Sequence, residues 1–356
     1  MSHVLSPVEG PAAWRGDVLG QTDSWIHHFT EEELDELETV GKRFLRDDPD
    51  LRFVSREDYP LPVCSETIAA WGNELDYGRG FLLARGLRVQ EYSHALSASI
   101  YFLLGLYLGT PMRQNQLGDL VDHIRATSNK TQDDPTSLSS RIRSRLGYHS
   151  DSSDVVALMC LHPSMEGGAS SLVSGMTIYN EVLRERPDLA PLMFEKWYWD
   201  WYKQDHDAPA PVYDSPMCAY EDGVFSFYGG NRILYTAQDY PEVPRLTPEQ
   251  IELLELLEDI AARPGIALHM DFRQGDIQWL LNYSALHART DFVDFPEPDR
   301  RRHLMRLWLQ RKSGRPVPEG FGRHVVRARH HVEPDDEVTG KFSIHSASIQ
   351  RHDWGL

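Results

Sequence analysis

The residues with the most chemistry to offer lie in Gly147-Tyr148-His149-Ser150-Asp151, where an imidazole and a carboxylate stand two residues apart ahead of a strand-forming run, Val155 to Leu161. In an extended backbone alternate side chains point the same way, so His149 and Asp151 can face one point in space. That is half a metal site. A third ligand has to come from far along the chain, and the best placed is His287, within Asn282-Tyr283-Ser284-Ala285-Leu286-His287-Ala288-Arg289. Two imidazoles and one carboxylate suit ferrous iron and leave coordination positions open for small molecules.

A His-x-Asp pair is a weak signal by itself, and the chain contains a second one, His269-Met270-Asp271. Either pair alone is more often a surface or core feature than a metal site. The first is singled out by the residues downstream of it: a glycine turn with hydroxyls, Gly167-Gly168-Ala169-Ser170, then a distant His preceded by Asn, then a strand with spaced arginines. On that strand Arg302, Leu304, Arg306 and Trp308 share one face. His303, Met305, Leu307 and Leu309 on the other leave no obviously solvated side, so the two arginines would be costly to bury unless anions meet them.

The elements that must position these groups can be read in order. Thr30-Glu31-Glu32-Glu33 forms a capping box, followed by Leu34, Leu37, Val40 and Phe44 at helical spacing, and a second helix is expected around Glu66 to Asp76. Residues 1–76 read as a helical cover. Gly80 to Gly86 is a buried-strand pattern, Val89 to Leu108 a long helix, and Leu117 to Ile124 another strand. The polar stretch from Arg125 to Leu146 precedes the ligands directly and is expected to form a mobile lid. Strands are expected at Val155–Leu161, after Gly168, near Val212, and at Val224–Tyr228, Ile266–Phe272, Ile277–Leu281 and Arg302–Gln310. Helices are expected at about Met176–Arg186 and Pro248–Ala262. The aromatic run Trp197 to Tyr202 is assigned to packing by default. The tail, 311–356, is polar and uninformative. No repeat or clear linker appears, so one domain is expected: an α+β fold with a β-sandwich or jelly-roll core at 80–310 and helices outside it.

Bulk properties narrow the function. The 36 Lys plus Arg against 54 Asp plus Glu give a formal charge of −18, which argues against a broad nucleic-acid-binding face but allows an anionic small molecule in a pocket with a few arginines. Cys64, Cys160 and Cys218 make neither a disulfide framework nor a zinc knuckle, and no stretch approaches the ~18 apolar residues of a membrane span. The start, Met1-Ser2-His3-Val4, lacks a basic segment followed by an apolar run. A cytoplasmic protein acting on a small-molecule substrate is expected, with no nucleic-acid or membrane partner; a homo-oligomer would be compatible with this.

His149-Ser150-Asp151, Gly167 to Ser170, Gly275-Asp276-Ile277-Gln278, Asn282 to His287 and Arg301-Arg302-His303-Leu304-Met305-Arg306, in that order, resemble the taurine dioxygenase-like family of iron(II)- and 2-oxoglutarate-dependent oxygenases. The resemblance covers about Gly80 to Gln310. It implies a double-stranded β-helix, iron bound by His149, Asp151 and His287, and 2-oxoglutarate held at its far carboxylate by Ser170 and Arg302. Arg306 matches a position that in several relatives meets an anionic group of the substrate. Many relatives have Thr at the hydroxyl position, and the His287 to Arg302 gap exceeds that of the taurine enzyme, so either Arg302 or Arg306 is the main anchor. The implied reaction turns 2-oxoglutarate and dioxygen into succinate and carbon dioxide while a carbon of a small polar molecule is oxidised. That molecule is expected to be amino-acid-like or carboxylate-bearing and to belong to secondary metabolism, and the oxidation is expected to be a hydroxylation, desaturation or cyclisation. Two other classes remain: a zinc hydrolase on the same three ligands, and a jelly-roll protein that binds without catalysis. A serine hydrolase fits less well, because Ser150 and Ser174 lack a G-x-S-x-G elbow.

Overall fold

A seven-stranded sheet and a four-stranded sheet organise the chain. In chain order their strands are β1 (Ile26–His28), β2 (Phe81–Arg85), β3 (Thr110–Pro111), β4 (Val121–Ile124), β5 (Leu146–His149), β6 (Val155–His162), β7 (Ser170–Ser174), β8 (Leu268–Met270), β9 (Ile277–Leu281), β10 (Ala285–Arg289) and β11 (His303–Gln310). The larger sheet runs β1-β2-β9-β6-β11-β3, with β4 also paired to β11, and the smaller runs β8-β7-β10-β5. Every pairing except β1 with β2 is antiparallel. The computed structural model describes residues 5–115, 118–131, 139–201, 210–312, 314–322 and 341–349.

Strand alternation divides the larger sheet into two apolar faces. Val156, Leu280 and Trp308 point inward and meet Leu172, Leu268 and Ala285 of the smaller sheet in one buried cluster. Their neighbours Ala157, Trp279 and Leu307 point outward into the larger core with the helices. Both faces of β6, β9 and β11 are therefore covered, which is why these strands are apolar throughout rather than alternating with polar residues. This is the expected α+β jelly-roll core with helices outside.

The helices begin where a hydroxyl can cap them. In α1 (Glu31–Asp47), Thr30 Oγ1 accepts from Glu33 N and the Glu33 carboxylate accepts from Thr30 N, as the sequence pattern predicts. After α2 (Ser65–Tyr77), helix α3 starts at His94 rather than Val89, because Ser93 Oγ accepts from Leu96 N and sets the first turn there. Helix α3 (His94–Leu108) is buried almost all round, between α1 and the outward face of the larger sheet. Helix α4 (Gly175–Glu185) follows β7 directly, and α5 (Pro248–Ala262) matches its expected span. No described helix is long and apolar enough to cross a membrane.

Several strands differ from expectation. The stretch 266–272 pairs only over Leu268–Met270, ending where Met270 meets Ser170, the first residue of β7. The strand expected from Leu117 begins at Val121, after a turn in which Gly118 has φ +75°; Leu117 itself lies outside the described residues. Strand β5 and strand β10 were not expected as strands, and they carry the two site histidines. The aromatic run does form a packing unit: Trp197–Asp200 pairs with Val212–Ser215, and Trp199 Nε1 donates to Ser215 O at 2.9 Å. Tyr202 lies outside the described residues. The Gly275-Asp276 motif is structural. A side chain on Gly275, at φ +86°, would lie 1.9 Å from Leu87 O, while Asp276 is fully buried and bound by Arg85 through two bonds of 2.8 and 2.7 Å.

Candidate metal centre

His149 ends β5 and His287 lies in the middle of β10, and the two are direct cross-strand partners. Opposed residues on antiparallel strands project to the same side, so register alone brings the rings to a centroid distance of 4.3 Å. Asp151 follows in the turn after β5 rather than on the strand itself. That turn is pinned from three directions: Ser150 N donates to Gly229 O at 2.7 Å, Ser150 Oγ to Asn282 O at 3.0 Å, and Asp151 N to Asn282 Oδ1 at 2.8 Å. Asn282 also donates from Nδ2 to Ser153 O at 2.8 Å, so one buried amide spans the ligand loop.

The donor atoms are arranged as a metal requires. One ligand atom from each of His149, Asp151 and His287 lies within 4.8 Å of the others, and no other such group occurs among the described residues. His149 Nδ1 donates to Gly147 O at 2.8 Å, which leaves its Nε2 lone pair 3.8 Å from Asp151 Oδ1. Asp151 Oδ2 accepts from Trp308 Nε1 at 2.9 Å and from Arg306 Nη1 at 3.4 Å, leaving Oδ1 for an ion. Burial alone would raise the Asp151 pKa, but Arg306, both histidines and the Trp308 bond hold this carboxyl well below the usual range. Burial, with the charges of His149 and Arg306, pushes His287 down to about 3 against the opposing pull of Asp151. Both groups are thus in the deprotonated forms that bind metal. His287 Nδ1 is buried without a hydrogen-bond partner among the described residues. The donor set and its geometry fit iron(II).

The rival pair does not assemble. His269 Nδ1 bonds Ser171 Oγ at 2.8 Å and Asp271 is exposed.

Arg302 and Arg306 separate clearly. Arg306 is spoken for: besides Asp151 it bonds Gln114 Oε1 at 2.8 Å and faces Asp122 Oδ2 at 3.5 Å. Arg302 is 6% exposed, and its guanidinium makes no hydrogen bond among the described residues. It lies 5.1 Å from the centroid of the Phe292 ring, and burial lowers its pKa to about 10. The Gly-Gly turn makes room for it, since a Cβ on Gly168 would approach Arg302 Nε to 3.3 Å. Ser170 is buried two residues on and donates to Gln278 Oε1 at 2.9 Å, while Gln278 Nε2 is buried with no partner among the described residues.

Two neighbours were given no role from sequence. Gln278 is one. Arg289 is the other: it opposes Ser170 across β10 and β7, and its guanidinium lies over the same Phe292 ring as that of Arg302, at 4.7 Å. Its Nη2 donates to the carbonyls of Ile142, at 2.9 Å, and Ser144, clamping the segment that leads into β5. Its position two residues after His287, on the same strand face, was the available signal. Of the stretch expected to be a lid, residues 132–138 lie outside the described residues.

Comparison with known proteins agrees with this geometry. Residues 48–308 match the family described as taurine catabolism dioxygenase TauD, TfdA family. Among named relatives, FR-33289 synthase of Streptomyces rubellomurinus (strain ATCC 31215) is 27% identical over 326 residues, covering 89% of this chain and 94% of that protein. Taurine hydroxylase-like protein SAT17 of Stachybotrys chartarum (strain CBS 109288 / IBT 7711) is 26% identical over 304 residues, covering 83% and 77%. Asparagine oxygenase in complex with Fe(II), 2S,3S-3-hydroxyasparagine and succinate has the same fold, with a TM-score of 0.60 at 15% identity over 80% of this chain and 93% of that one. So does the non-heme iron oxygenase OrfP in complex with Fe, succinate and (3S)-hydroxy-L-Arg, with a TM-score of 0.60 at 14% identity over 83% and 98%. The chain belongs to the TauD, TfdA dioxygenase family, and is thus an iron(II)- and 2-oxoglutarate-dependent dioxygenase.

Proposed function

We propose that this single catalytic unit holds iron(II) between His149, Asp151 and His287, and oxidises an unactivated C–H bond of a small, anionic, amino-acid-like molecule, with hydroxylation as the default outcome. The observation that carries the reading is the convergence of three donor atoms from β5, its following turn and β10 within 4.8 Å. Bound iron with 2-oxoglutarate and dioxygen would supply the oxidising chemistry, with succinate and carbon dioxide as by-products. The protein's part is binding, orientation and exclusion of water.

Arg302 has the free guanidinium, so it takes the far carboxylate of 2-oxoglutarate, with Ser170 and the open Gln278 Nε2 beside it. Arg306 and Trp308 fix the non-coordinating oxygen of Asp151 and keep the carboxylate ionised. Leu172, the β7 partner of His287, and the inward cluster around it keep one side of the site dry. An amino-acid-like substrate is supported by the asparagine and arginine derivatives in the complexes of the two solved relatives.

The test is succinate formation from 2-oxoglutarate by iron-loaded protein under air and under argon. Oxygen-dependent turnover that is abolished in His149→Ala and retained in His269→Ala is expected. Hydrolytic activity with zinc under argon would instead establish the hydrolase reading, and 2-oxoglutarate binding without any turnover would establish the non-catalytic one.

A further inference from the structure

A chain of alternating charges runs outward from the metal centre. Arg306 Nη1 lies 3.4 Å from Asp151 Oδ2, and Arg306 Nη2 lies 3.5 Å from Asp122 Oδ2. Arg141 Nη2 donates to Asp122 Oδ1 at 2.8 Å. Asp122 and Arg306 are register partners on β4 and β11, so their side chains share the inward face of the larger sheet. Arg141 reaches that face from the segment between β4 and β5, whose Ile142 and Ser144 carbonyls Arg289 holds down.

Arg141 is incompletely satisfied. It is 4% exposed, and both Nε and Nη1 are buried with no hydrogen-bond partner among the described residues. A buried donor left unmade is costly, and more so on a charged group, so two on one guanidinium point to a missing acceptor. The local charges point the same way. With Asp151 committed to the metal, Arg141 and Arg306 share one carboxylate, Asp122, and the pair keeps a net positive charge.

We infer that Arg141 is a specificity-determining residue one of whose unpaired guanidinium donors, Nε or Nη1, receives an oxyanion of the substrate. Nε–H and the Nη1 amino group point to different sides of the guanidinium, so the anion takes a charge-assisted bond from one of them through a single oxygen, as a carboxylate, sulfonate, phosphate or phosphonate can provide. The inference rests on the proposed function, since it names the group that the substrate presents to that site. It also gives the segment before β5 a chemical role: it carries the anion-binding charge.

The experiment uses the full chain loaded anaerobically with iron(II) and 2-oxoglutarate, titrated by calorimetry with acetate, sulfate and inorganic phosphate in turn. Formation of the iron–2-oxoglutarate chelate is followed separately by its visible absorption. Saturable one-to-one binding of at least one anion is expected in the unsubstituted protein, and the preferred one separates a carboxylate from a tetrahedral oxyanion. Arg141→Gln should weaken that binding tenfold or more with the chelate absorption unchanged. Arg141→Lys keeps the charge beside Asp122 but lacks the planar guanidinium that can bond Asp122 and a second acceptor at once; it serves if Arg141→Gln does not fold, and should weaken binding several-fold. Saturable binding of none of the three anions, or equal binding by the folded variants, overturns the inference. Failure of the unsubstituted protein to form the chelate would overturn the underlying functional reading instead.

Discussion

The indole Nε1 of Trp308 donates to Asp151 Oδ2 at 2.9 Å, so a residue of the last strand decides which oxygen of the ligand carboxylate faces the metal position. Trp308→Phe preserves the ring and its place in the inward cluster but removes the donor. Partners that orient metal ligands are worth roughly 10–100-fold in affinity. The variant should bind iron(II) or manganese(II) about that much more weakly, as measured by anaerobic metal titration, with little change in melting temperature; unchanged affinity would show the bond to be incidental.

Arg302 and Arg306 should part company in 2-oxoglutarate binding. Arg302 has its guanidinium free, whereas Arg306 is engaged by Asp151, Gln114 and Asp122. Hydrogen bonds to charged groups contribute about 1.5–3 kcal/mol, so Arg302→Gln should raise the 2-oxoglutarate Kd roughly 10–100-fold, and Arg306→Gln only a few-fold. Titration of the co-substrate into the iron-loaded variants decides it, and the reverse ranking would transfer the anchor to Arg306.

Asn282 is a positioning residue. Its amide accepts from Asp151 N and donates to Ser153, both at 2.8 Å, and it is fully buried. Asn282→Asp keeps the shape but loses the amide donor and sets a second carboxylate beside Asp151. A loss of about 1–3 kcal/mol in urea denaturation is expected, together with weaker metal binding that Asn282→Gln does not restore, because the longer arm cannot span the same loop.

Stability should fall with acid through a histidine pair outside the metal ligands. His123 Nε2 must donate to Ala347 O, at 2.8 Å, so His123 Nδ1 accepts from His303 Nε2, at 2.7 Å, and both rings are neutral. Burial first, then for His303 the neighbouring His123, Arg125, His94 and His162, lowers their pKa values; Asp122 opposes the shift at His123 and Arg141 adds to it. The unfolded chain takes up these protons near the ordinary value of 6.5 while the folded chain does not. Stability from this pair is therefore complete above that pH and is lost progressively as pH falls below it, by up to ~1.4 kcal/mol per histidine per pH unit. Replacing both with Gln should flatten the urea-denaturation profile between pH 5 and 7; an unchanged slope would place the acid sensitivity elsewhere.

Much of the site was written in local order along the chain. The two-residue spacing kept Asp151 beside His149, although through a turn and not through strand alternation, and alternation placed Arg302, Leu304, Arg306 and Trp308 on one face of the last strand. The capping box at Thr30 likewise depends only on residues within one helical turn, and helix α1 starts there. The positive φ values of Gly167, Gly168 and Gly275 are likewise properties of the local backbone.

Whatever depended on partners remote in sequence was decided by the tertiary structure. Cross-strand register, rather than spacing, set His287 against His149 and left the His269 pair with a serine and solvent. Sequence left open whether Arg302 or Arg306 is the main anchor; the carboxylates that make Arg306 an ion-pair partner come from β4 and the turn after β5. The reason is physical: a side chain's type and its place on a strand are properties of the local chain, but whether its charge is already answered depends on which distant groups the folded sheets bring within bonding distance.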